Sequence, residues 1–154
     1  DAIIIVPPDK ARSFSSRNSM IRNDFIYKDF DTAVDSFRLI PPQPCKNEFL
    51  LKHIAQHSFK NTTEGWVLKS DAKIMRSYQY EDLTEIFMDL KCPIYLVYGL
   101  MSQIFSQELL DYTTYVGNLP EERVIGIVGA MHHLFIDEPI TFVEEVKKLL
   151  ETRN

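Results

Sequence analysis

Two short, wholly apolar runs constrain this chain more than any other feature. Ile94-Tyr95-Leu96-Val97-Tyr98, opened by Pro93 and ended by Gly99, and Val124-Ile125-Gly126-Ile127-Val128, ended by Gly129, are too short for helices and carry no polar alternation. Such runs read as strands buried on both faces, the habit of parallel sheets. Between them Ser106 to Val116 has helical character, closed by Gly117-Asn118-Leu119-Pro120. After the second run, a helix begins at Pro139, capped by Asp137 or Glu138, with Phe142, Val143, Val146, Leu149 and Leu150 as its apolar face. Strand, helix, strand, helix with short connections predicts parallel pairing. Residues 92–154 are therefore read as a β-α-β-α core.

The chain also opens on a strand. Ala2 to Val6 is an Ile-rich run stopped by Pro7-Pro8, so residues 1–9 form a further core strand. A buried strand at the start of a chain leaves a sheet edge open, which predicts that these 154 residues are part of a larger sheet. Residues 10–91 read as a linker and a helical region. Lys10 to about Tyr27 is polar and serine-rich. Thr32 to Arg38 is a short helix capped by Asp31 and stopped by Pro41-Pro42. Asn47 to Phe59 is a longer helix with Phe49, Leu50, Ile54 and Phe59 on one face; Gly65 to Leu68 is a brief strand or turn, and Glu81 to Leu90 is helical again.

Composition removes several function classes. With 17 Lys and Arg against 22 Asp and Glu, the net charge of −5 and the absence of a basic block exclude a phosphate-backbone ligand, so no nucleic acid is expected. No apolar run approaches the roughly 20 residues of a membrane span, and the N-terminus lacks the basic, apolar and small-residue regions of a signal peptide. A cytoplasmic chain is expected, with Cys45 and Cys92 as separate reduced thiols. No cofactor or metal is implied. His53 and His57 stand at i and i+4, but His-Ile-Ala-Gln-His lacks the glutamate of a zinc-protease helix and a third ligand.

In a parallel sheet the working groups collect at the carboxyl ends of the strands. That rule gathers Pro7-Pro8-Asp9, Gly99-Leu100-Met101-Ser102 and Gly129-Ala130-Met131-His132-His133. A histidine on such a loop is placed to move protons near neutral pH; the alternative is that His132 and His133 only bond a backbone carbonyl and fill the turn.

Leu90-Lys91-Cys92-Pro93 through Gly99, followed by Gly129-Ala130-Met131-His132-His133-Leu134-Phe135-Ile136-Asp137-Glu138-Pro139 and Phe142-Val143, closely resembles the end of an α/β-hydrolase. The middle third resembles the cap of one bacterial subgroup of that family through Phe37-Arg38-Leu39-Ile40-Pro41-Pro42-Gln43-Pro44 and Gly65-Trp66-Val67-Leu68-Lys69. The resemblance implies an α/β fold: the C-terminal portion of an α/β-hydrolase parallel sheet with an inserted helical cap. It implies His132 as the catalytic base, His133 as its neighbour, and a small-molecule ester, thioester or related carbonyl substrate. Met131 departs from the glycine usual before the histidine.

The family's acyl chemistry also needs a nucleophile on a Gly-x-Ser-x-Gly elbow and oxyanion donors. Gly65, Gly99, Gly117, Gly126 and Gly129 frame no such serine. In family order the elbow precedes the cap, so the resemblance places it upstream of Asp1 and makes the missing N-terminal half, or another copy of the chain, the expected partner. The usual acid would follow Gly99, where residues 100–105 carry no carboxylate. Asp9 matches an alternative place for that acid and equally reads as a solvated turn residue; Ser102 could orient the imidazole. Trp66, Phe59 and Tyr78 line an apolar acyl pocket or form ordinary core. The rival function is a non-catalytic ligand-binding or interaction protein on a degraded hydrolase fold.

Overall fold

A computed structural model describes residues 5–10, 25–71 and 81–151. It divides into two compact units, Asp9–Glu81 and Asp1–Pro8 with Asp82–Asn154. In the first, helix α1 (Phe30–Ser36) starts where Asp29 accepts the Thr32 N–H at 2.8 Å. The cap is Asp29 and not Asp31, because a capping carboxylate must stand before the first turn to reach the amide three residues on. Helix α2 (Glu48–Ser58) follows. Its covered side is Leu51, Ile54, Ala55 and Ser58, at i, i+3, i+4 and i+7, and Phe49 is exposed. Phe49 lies about 200° round the helix from Leu51, which removes it from the expected apolar face.

The chain then forms a hairpin that the sequence half concealed. Strand β1 (Phe59–Thr62) pairs antiparallel with β2 (Gly65–Leu68), placing Phe59 opposite Leu68 and Asn61 opposite Trp66. Lys60-Asn61-Thr62 has no apolar alternation, so only the partner strand reveals it. Tyr27 adds an isolated antiparallel bridge to Trp66, with both N–H···O bonds at 2.8 Å. Aromatic rings knit this unit. Phe59 meets Tyr27 edge-on at 5.9 Å and Phe37 at 6.4 Å, while Trp66 lies 4.7 Å from Phe30, contacts that exceed simple area burial by about 1 kcal/mol each.

The second unit holds a two-stranded parallel sheet. Strand β3 (Leu96–Gly99) pairs with β4 (Val124–Ile127) in the register Leu96 to Val124 and Gly99 to Ile127. Before β3 comes helix α3 (Thr84–Met88), shorter than the expected Glu81 to Leu90. It groups with this unit and not with residues 9–81: a Cβ on Gly117 would come 2.8 Å from the Phe87 ring, and Thr84 Oγ1 lies 3.5 Å from the Tyr112 hydroxyl. The boundary therefore falls at Asp82 and not at 91. Between the strands runs α4 (Gln107–Val116), capped by Ser106, whose Oγ accepts the Leu109 N–H. A 3-10 turn (Glu121–Arg123) leads into β4. Helices α5 (Leu134–Asp137) and α6 (Pro139–Glu151) close the chain.

The core here is Ile127, Ala130 and Leu134, with Val97 and Phe142 packed against it. Of the expected first strand, Ala2 to Ile4 lie outside the described residues, while Ile5 and Val6 are buried. The apolar runs are covered less completely than their composition predicts. Most positions of β3 and β4 are half-buried, and Val128, just past β4, is 77% exposed. Ile140, Val143 and Leu150 of α6 also face outward, together with Phe135, Leu100 and Met101.

Gly99 is where strand and loop touch. A Cβ on it would overlap the Met131 carbonyl oxygen and come 2.6 Å from that of Ala130. Both are backbone atoms and cannot rotate away. Gly99→Ala is expected to destabilise the protein by about 1–3 kcal/mol, the cost of overpacking, read as a lower urea midpoint at constant m-value.

Candidate active site

The loops leaving β3 and β4 are tied together by their backbones. Leu100 N–H donates to Ile127 O at 3.1 Å, and Met101 N–H to Ala130 O at 2.9 Å. Two of the three expected loops are thus side by side at the carboxyl ends of the parallel strands. The second loop turns at Gly129, whose φ of +79° suits a residue without a side chain. A Cβ there would also come 3.1 Å from Glu138 Oε1. From this turn the chain runs Ala130-Met131-His132-His133 into α5, and Ile136 and Asp137 N–H groups donate back to His133 O at 2.9 and 3.2 Å.

His132 is half-buried, and its Nδ1 is enclosed from solvent. The His133 ring stands 5.1 Å away at 78°, and Phe135 meets His133 edge-on at 6.3 Å. Burial, reinforced by the neighbouring His133 imidazole, pulls the pKa of His132 down to about 4. Desolvation penalises the imidazolium and leaves the neutral ring intact. At neutral pH the ring is therefore uncharged and one of its nitrogens carries no proton, which is the protonation state a general base requires.

Asp137 was legible only as a helix cap. Helix α6 begins with Phe142 N–H bonded to Glu138 O, and the buried Asp137 carboxylate turns back across the loop, where Oδ2 accepts the Met131 N–H at 2.8 Å. A carboxylate beside a helix start has two uses, and only coordinates separate them.

The other candidates fall elsewhere. The Ser102 hydroxyl accepts the Phe105 N–H at 3.2 Å, so it shapes the 102–105 turn. Asp9 belongs to the 9–81 unit; its side chain is 70% exposed and lies 3.7 Å from Lys10 Nζ. His53 and His57 stack at 4.4 Å on the exposed side of α2, where His57 Nδ1 bonds the His53 carbonyl. Among the described residues no three His, Cys, Asp or Glu side chains gather as metal ligands, and no helix is long and apolar enough to cross a membrane. Phe59 lines a cleft of about 280 Å³ in the 9–81 unit with Phe25, Tyr27, Phe37, Leu39 and Arg38. Trp66 packs on Phe30, and Tyr78 lies outside the described residues.

No family model matches the sequence, and no curated protein does. Solved structures do match. The chain is similar to an E-2-(acetamidomethylene)succinate hydrolase at TM-score 0.77 and 16% identity, covering 98% of this chain and 55% of that one. An esterase of M. tuberculosis matches at TM-score 0.73 and 19% identity over 96% of this chain and 52% of its own. A thioesterase domain from the curacin biosynthetic pathway matches at TM-score 0.60 and 19% identity over 93% and 52%. The chain has the fold of the α/β-hydrolases, and it spans about half the length of these structures.

The lowered pKa of His132 carries a pH signature for stability. Between pH 6.5 and about 4 the unfolded chain binds the proton that the folded chain refuses, so stability rises with pH across that window. Acidification from 6.5 towards 4 is expected to lower the unfolding free energy by well under the ~3 kcal/mol of the full shift, because the half-buried ring stays partly screened by solvent. His132→Gln, which cannot titrate, is expected to flatten that part of the urea-unfolding profile.

Proposed function

We propose that a chain with this fold supplies the histidine-bearing part of a serine α/β-hydrolase acting on an ester, thioester or related carbonyl substrate, with His132 as general base. The observation that carries the reading is a half-buried imidazole, its Nδ1 enclosed and its pKa lowered by burial, on a loop pinned at the carboxyl ends of two parallel strands. The names of the similar structures, a hydrolase, an esterase and a thioesterase, support the substrate class. The nucleophile and the oxyanion donors belong to an upstream half that precedes Asp1. Base without nucleophile loses most of a catalytic unit that works as a whole, so turnover is assigned to the complete protein.

A second reading has its own support. The cleft lined by Tyr27, Phe37, Leu39 and Phe59 suits an apolar ligand, and an interaction protein on a hydrolase fold would need nothing more. Generic ester hydrolysis by the complete protein separates the two. His132→Ala is expected to lower kcat by about 10³-fold or more, as loss of a triad base does, and an equal rate discards His132. In the same assay Asp9→Asn decides the acid. Its exposure supports the turn reading, so kcat is expected to stay within about twofold of the parent, the scale of a surface substitution, whereas loss of a triad acid costs about 10⁴.

The outward-facing Val128, Phe135, Ile140, Val143 and Leu150 concern the partner. An apolar surface of this kind calls for a cover, and we assign it to the upstream half. Residues 1–154 alone are expected to self-associate in light scattering and to become monodisperse when the upstream half is added; a monodisperse monomer at high concentration contradicts the assignment.

A further inference from the structure

The geometry points to Asp137 as a positioning residue for His132, an inference that rests on His132 being the base. Asp137 is 7% exposed, and a carboxylate withdrawn that far from water is costly unless its oxygens are engaged. One of them is engaged across the loop that carries the histidine, accepting the Met131 N–H at 2.8 Å. A charged acceptor makes a shorter and stronger bond than a neutral one. Through its own backbone Asp137 also donates to His133 O at 3.2 Å. The residues immediately before and after His132 are therefore both held by Asp137, one by its side chain and one by its main chain.

The opposite side of the loop is anchored independently. Met101 N–H donates to Ala130 O, and Gly99 is pressed against the Met131 carbonyl. The Met101 bond holds the oxygen end of the planar Ala130–Met131 peptide and Gly99 bounds the carbonyl of the next peptide, so neither contact holds the Met131 N–H itself. Without Asp137 the Met131 peptide can tilt about the Ala130 anchor, and the imidazole on the next residue moves with it. A shift of about 1 Å in a proton-transfer partner costs on the order of 10²-fold in rate. The carboxylate thus sets the orientation of the base without touching substrate.

The test uses the complete protein and three variants beside His132→Ala. Asp137→Ala is expected to lower kcat by about 100-fold, leave KM within about threefold, and speed hydrogen exchange of the Met131 amide. Asp137→Asn keeps an oxygen acceptor in the same place and is expected to restore most of the rate. If Asp137→Ala does not fold by circular dichroism, Asp137→Ser, which is polar but too short to reach Met131, takes its place with the same expectation. A folded Ala or Ser variant with parental kcat and a fast-exchanging Met131 amide overturns the inference. So does a loss in KM alone. When His132→Ala is inactive and the Asp137 variants are not, the positioning role alone has failed; when His132→Ala is fully active, the base assignment has failed and this role with it.

Discussion

The parallel pairing of Leu96–Gly99 with Val124–Ile127 is the contact on which the candidate site depends. It brings two loops, separated in sequence by a whole helix, to the same end of the sheet. Their backbones can then bond directly, Leu100 to Ile127 and Met101 to Ala130, because Gly99 carries no Cβ to hold them apart. The backbone of the histidine loop is anchored on two sides. It is placed by main-chain bonds on one side and by a buried carboxylate on the other, which is how a loop acquires the rigidity of the elements beneath it.

That construction also decides the charge state of the imidazole. Half-burying the ring in a packed loop removes water from Nδ1, and the loss of hydration falls mainly on the protonated form. The His133 imidazole acts in the same direction, since a second positive charge beside it is unfavourable. The Asp137 carboxylate accepts the Met131 amide N–H in the same loop. Packing and electrostatics therefore agree on a neutral ring, with desolvation as the larger effect.

The 9–81 unit is built on a different principle. Its helices are short, and its strands carry little apolar alternation. Stability comes from rings that meet edge to face around Phe59, which the hairpin delivers to the same place as Tyr27 and Phe37. An aromatic cluster of this kind leaves irregular gaps, and the cleft beside Arg38 is one of them. Core and candidate ligand surface are here made of the same side chains.

Much of the core unit was legible without coordinates, because strand and helix there are written in local chemistry. Apolar runs of four or five residues ended by glycine located β3 and β4 to within two residues, and Ser106 and Gly117 bounded α4. The His loop was legible for the same reason, as residues that follow a strand and precede a helix. Long-range partners have no local signature. Nothing in Lys60-Asn61-Thr62 announces a strand until Gly65–Leu68 lies beside it, and nothing in Asp137 distinguishes a helix cap from a carboxylate that folds back to Met131. The sequence by itself determined that the two apolar runs before Gly99 and Gly129 are strands of a parallel pair, and which loop carries the histidine. Only the tertiary structure decided which amide Asp137 holds and how deeply His132 is enclosed, since both depend on atoms brought together by packing and not by their order along the chain.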